Sequence, residues 1–107
     1  MMESTIVFPV NDNDGNSLAN VSEQTQLALA HQFGGVTVVP GVGKWIDDSG
    51  KLYAEPVQQL ITAYDPSLPE NDAALRKIAF KAGVDGRQLA VYVKYANGNV
   101  ELIKIQH

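Results

Sequence analysis

The sequence predicts an α+β domain of the ferredoxin-like kind, β-α-β-β-α-β(-β), an antiparallel sheet with two helices on one face. Three observations carry this reading. Two helical stretches each follow a β-rich segment and stop at or near a glycine. Between them lie two strand segments joined by a short Asp-Asp-Ser-Gly turn. After the second helix, two further strand segments flank an Asn-Gly hairpin signal. Two βαβ-like units joined by a hairpin give that plan, and the last strand adds to it by pairing with the one before.

The elements follow in order. Thr5 to Val10 is β-rich, with Ile6, Phe8 and Val10 on one face. Asn11 to Ser17 has turn chemistry. A helix is expected from about Asn20, where Asn20 and Glu23 have capping-box spacing; Thr25, Ala28, Leu29 and Phe33 form its stripe. Gly34 supplies its left-handed end. Val36 to Val39 is a short β-branched strand, and Pro40-Gly41 predicts a bulge or an edge position. Gly43 to Ile46 and Lys51 to Glu55 flank a four-residue loop, Asp47 to Gly50, and Val57 to Tyr64 continues as a strand. Ser67 with Glu70 gives a second capping-box spacing, with Pro69 in the first turn. Leu75, Ile78, Ala79 and Ala82 make the clearest helical stripe, and Gly83 is expected to end it. Gln88 to Tyr95 and Val100 to Ile105 are the final strands, around Asn97-Gly98.

The 107 residues form one domain, 1–107, with room for a single core. No cysteine is present, so neither a disulfide framework nor a thiolate metal site is possible. A formal net charge of −4 argues against sequence-independent nucleic-acid binding, which needs a basic surface. No apolar run approaches membrane-spanning length, and the first residues lack a signal-peptide pattern. A soluble cytoplasmic protein without a cofactor is the expectation.

Phe33-Gly34-Gly35-Val36-Thr37, Gly43-Lys44-Trp45, Gly50, Glu55-Pro56, and Gln88 followed by Ala90-Val91-Tyr92 resemble a family of small uncharacterised bacterial and phage domains. Arg87 stands where that family often has glycine. The resemblance implies the fold and no particular chemistry.

Candidate ligand-binding residues are Glu55, Tyr53, Trp45, His31 and Tyr92. A four-residue loop sets Trp45 opposite Leu52 and Lys44 opposite Tyr53. Trp45 then covers Gly43 and Ala54, while Lys44, Tyr53 and Glu55 share the other face. On that register Glu55 is either a partner of Lys44 or a general base beside Tyr53. His31 lies at a helix flank near its C-terminus, where a cation is favoured by the helix dipole; His107 is terminal. Asn11 to Asn16 invites a calcium reading, but the required ligand positions at Val10 and Val21 are valine, so a solvated turn and no metal site are expected. No phosphate cradle, zinc motif or nucleophile elbow occurs.

Several strands are apolar on both sides: Val7 opposes the Ile6–Phe8 face, and Leu60 and Tyr64 oppose Val57, Ile61 and Ala63. A half-exposed sheet alternates more cleanly than this. The expectation is a self-associating binding or assembly module, a homodimer or larger homo-oligomer, with a cavity for a small organic ligand. The alternative is a small enzyme of the dimeric α+β barrel type, with Glu55, Tyr53 or His31 transferring protons.

Overall fold

The computed structural model describes residues 1–106; His107 lies outside the described residues. Its elements are β1 (Met2–Pro9), α1 (Ala19–Phe33), β2 (Thr37–Ile46), β3 (Leu52–Tyr64), α2 (Pro69–Asp85), β4 (Ala90–Lys94) and β5 (Val100–Lys104). The five strands form one sheet in the order β2-β3-β1-β4-β5, every neighbouring pair antiparallel. This is the ferredoxin-like plan with β5 added beside β4.

Period-two alternation decides which side of the sheet the helices cover. Ile6, Leu60, Val91, Val93 and Ile103 turn inward and meet Leu29 of α1 and Leu75 and Ala79 of α2. Phe8, Leu18 and Ala82 form a smaller adjoining cluster. Phe33 stacks on Tyr64 at 4.8 Å between ring centroids. The Tyr64 hydroxyl donates to Asp72 Oδ1 at 2.6 Å and accepts from the Ala96 N–H. Burial, with the Asp72 carboxylate, pushes that hydroxyl's pKa up to about 12.

The helix ends differ from the capping-box expectation. Leu18 is the N-cap of α1 and Leu68 of α2, and neither helix has a side-chain cap. Asn20 and Ser67 lie off the cap positions, and Ser67 instead donates to Asp65, closing the preceding turn. Gly34 ends α1 in the left-handed region as expected. Gly83 does not end α2, which runs on to Asp85 and caps at Gly86. Gly83 is needed for packing: a Cβ there would sit 2.8 Å from side-chain carbons of Ile105 and Val91.

β2 is one continuous strand through Pro40 rather than a short strand and a separate hairpin arm. It lies at the sheet edge, where a residue without an N–H costs no ladder bond. With β3, thirteen residues long, it makes an extended hairpin. At about 3.3 Å per residue, β3 alone accounts for the molecule's 41 Å long axis.

Candidate functional site

The site begins with the turn of the β2–β3 hairpin. Asp47 Oδ1 accepts from the Ser49 N–H at 2.9 Å, the Ser49 hydroxyl at 2.6 Å and the Lys51 N–H at 3.0 Å. These bonds, led by the Ser49 hydroxyl, hold the Asp47 carboxyl below its usual pKa. They also draw Lys51 into the turn, so the loop is 47–51 and Ile46 pairs with Leu52. The four-residue loop expected from the sequence is one residue too short. Correcting it moves every side chain of one strand to the other face.

Trp45 therefore opposes Tyr53, and Gly43 opposes Glu55. The indole stacks on the Tyr53 ring at 5.3 Å, nearly parallel at 9°, and does not cover Ala54. Trp45 remains 46% exposed. The Tyr53 hydroxyl donates to Asp47 Oδ2, and Lys51 sits over the tyrosine ring. Lys44 opposes Ala54, and the expected Lys44–Glu55 pair does not form. The ion pairs among the described residues are Arg76–Glu101 and Lys81–Asp85.

Trp45, Tyr53 and Glu55 thus share the face turned away from the helices. There they border a cleft of about 680 Å³ that crosses all five strands. Gly43 and Trp45 line it from β2, Glu55 and Val57 from β3, Val7 and Pro9 from β1, Ala90 and Tyr92 from β4, and Leu102 from β5; Lys44, Asn13, Gln88 and Leu89 complete it. Its exposed lining is mostly apolar. Gly43 keeps space open opposite the carboxylate: a Cβ there would come 3.3 Å from Val57 Cγ1.

Glu55 is half-buried. Burial pushes its pKa above the usual glutamate value. Among the described residues its carboxylate has no hydrogen bond or ion pair. A partly desolvated anion in apolar surroundings favours a cation or hydrogen-bond donor brought by a ligand.

Of the five sequence candidates, Glu55, Trp45 and Tyr92 line the cleft, and Tyr53 backs Trp45. His31 is exposed in the last turn of α1 and does not join them. Asn13 and Gln88 were not identified as ligand contacts from sequence. They come from two loops with no common periodicity. Alternation along β1 does carry a signal for Val7 and Pro9, since Ile6 and Phe8 claim the other face.

No protein-family model matches the chain, and no curated protein matches it. Two solved structures share its fold. One is a phage SAM lyase in complex with S-methyl-5'-thioadenosine: TM-score 0.74, 19% identity, covering 96% of this chain and 88% of that one. The other is a phage SAM lyase in the apo state: TM-score 0.75, 18% identity, covering 99% and 90%. At such identity the likeness is one of fold.

Proposed function

We propose that the cleft binds an adenosyl sulfur compound and that the protein is a small lyase acting on S-adenosylmethionine (SAM). The unpartnered Glu55 carboxylate beside the exposed Trp45 face carries this reading. SAM brings a sulfonium cation and a purine. A carboxylate and an aromatic face suit the cation, and an indole half-open to solvent suits stacking by a flat base. The shared fold with phage SAM lyases supports the same class.

Glu55 is the group in this cleft that can face the sulfonium. Tyr53 spends its hydroxyl on Asp47, and His31 lies elsewhere. In the reaction the bond between sulfur and the aminobutyrate arm breaks, and its electron pair goes to sulfur. The neutral thioether S-methyl-5'-thioadenosine departs. The arm either closes its own carboxylate onto the carbon that sulfur leaves, giving a lactone, or yields a neighbouring C–H proton to Glu55, giving an alkene. Both routes balance without water or an oxidant.

The test is incubation with SAM, followed by chromatography for the thioether and its co-product. The thioether should accumulate with the parent protein, and the co-product tells the two routes apart. No turnover, together with no calorimetric binding of SAM or the thioether, would overturn the reading.

Self-association belongs to the same proposal. On the hairpin face away from Trp45, Val42, Ile46 and Leu52 are 65%, 67% and 59% exposed. A second copy of this chain is the occupant that would cover these residues. Sedimentation equilibrium at micromolar concentration showing a species of 11.6 kDa alone would remove it.

A further inference from the structure

The chain has four tyrosines. Three of them spend the hydroxyl on a carboxylate of the protein itself. Tyr53 donates to Asp47 at 3.1 Å, Tyr64 to Asp72 at 2.6 Å and Tyr95 to Glu101 at 2.5 Å. The fourth, Tyr92, stands in the wall of the cleft. It is 40% exposed, and among the described residues its hydroxyl has no hydrogen-bond partner. Its cross-strand neighbours explain this. Tyr92 opposes Val7 on one side and Leu102 on the other, and neither side chain offers an acceptor. The ring is held between apolar neighbours while the hydroxyl is left for solvent or a ligand.

Register sets where Tyr92 lies relative to Glu55. Tyr92 pairs with Val7, Val7 pairs with Gln59, and Gln59 is four residues along β3 from Glu55. At ordinary sheet spacings the two backbones stand about 13 Å apart along the strands and about 10 Å across them. Trp45, which pairs with Tyr53, lies on the far side of Glu55. The cleft thus runs from an indole past a carboxylate to a phenol. SAM has its parts in a matching order: a purine, a sulfonium, then an aminobutyrate arm that carries a carboxylate. With the base on Trp45 and the sulfonium at Glu55, the arm extends toward Tyr92.

Charge favours the same orientation. The Glu55 carboxylate repels the carboxylate of the arm. Lys104 opposes Ala90, and Lys94 lies two residues beyond Tyr92 on β4, so alternation puts both on the face of Tyr92. Neither lysine forms an ion pair among the described residues.

We propose that Tyr92 is a substrate-binding residue whose hydroxyl donates to the α-carboxylate of the SAM arm, so that the cleft tells the amino-acid substrate from its nucleoside product. This rests on the SAM reading of the cleft. A hydrogen bond to one carboxylate oxygen leaves the other free, so neither route of bond breaking is closed. The contact is lost with the arm, which leaves the thioether more weakly held.

Tyr92→Phe deletes the hydroxyl and keeps the ring. Three ligands read the result: SAM through KM and kcat, and decarboxylated SAM and S-methyl-5'-thioadenosine through calorimetric affinity. Tyr92→Phe should melt with the parent, because the missing oxygen bonds no protein atom. Its KM for SAM should rise roughly ten-fold or more, the loss expected of a hydrogen bond to a charged group, with kcat little changed. Its affinities for decarboxylated SAM and the thioether, which lack the carboxylate, should equal the parent's. A parent-like KM for SAM would overturn the proposal, and so would an equal loss with all three ligands. A parent protein that neither cleaves SAM nor binds any of the three sinks the SAM reading itself, and the Tyr92 contact with it.

Discussion

The two faces of the sheet are built from the same strands and obey opposite rules. On the helix side, Ile6, Phe8, Leu60 and Val93 are fully buried. Polar groups there are paired: the Thr62 hydroxyl donates to Gly35 O at 2.7 Å, and Ser22 donates to Gln58. Among the described residues no buried side-chain nitrogen or oxygen lacks a partner. On the open side, one residue along each strand, Glu55 is unpaired, Trp45 is half exposed and Gly43 leaves a gap. The closed face stabilises the fold, while the open face leaves the Glu55 carboxylate without a protein partner among the described residues. Substitutions on the two faces should therefore separate stability from binding.

The largest separation is expected at Glu55. Glu55→Gln keeps size and removes charge, and it should lower SAM cleavage by roughly 100-fold or more, the scale of losing a positioned acid–base or electrostatic group. Its melting temperature should stay close to the parent's. Parent-like turnover would break the assignment of Glu55. Leu60→Ala is the counterpart on the closed face, where Leu60 packs in the core with Ile6 and Leu75. It should cost about 2–5 kcal/mol in denaturant unfolding, as for a fully buried leucine, with turnover per folded molecule unchanged. Gly83→Ala should cost about 1–3 kcal/mol by overpacking against Ile105 and Val91.

Trp45→Ala sharpens the contrast. It should weaken thioether binding by about 1–3 kcal/mol, the value of one aromatic stacking platform. Its stability cost should be well below that of a buried aromatic, because the indole packs on Tyr53 alone among ring partners and is nearly half exposed. A large stability loss with unchanged binding would return Trp45 to a structural role.

The smallest effect is in pH dependence. Burial raises the Glu55 pKa in the folded state above the ordinary 4.5. The native protein therefore keeps this proton longer than the unfolded chain does. Stability from this group declines as pH rises from the ordinary value through the raised one. Water reaches the cleft, so the slope is shallow. Comparing melting curves of the parent and Glu55→Gln across that window should show the decline only in the parent.

The element order was legible because alternation and helical spacing are local. Ile6 and Phe8 turn inward together, and Leu75, Ala79 and Ala82 recur on one helix face. The hairpin register was not legible. It depends on how many donors the Asp47 carboxylate gathers, and one added loop residue moved Glu55 from beside Lys44 to the face of Trp45. Gly83 read as a helix stop because its crowding comes from Ile105 and Val91, distant in sequence. Glu55, Trp45 and Tyr92 could be named singly, but the cleft also needs Asn13 and Gln88, which no periodicity links.

Pro40 has a further consequence. It occupies the outermost strand, pairing with Gln58 on its inner side. A foreign strand approaching the outer rim of β2 meets a missing donor midway along its length, so an unbroken ladder cannot extend there. The opposite rim, β5, is only five residues long and finishes in Lys104. The rims are thus poor templates for fibril growth, and a chain with so much apolar surface on its broad sides is steered toward stacking side to side rather than polymerising end on end.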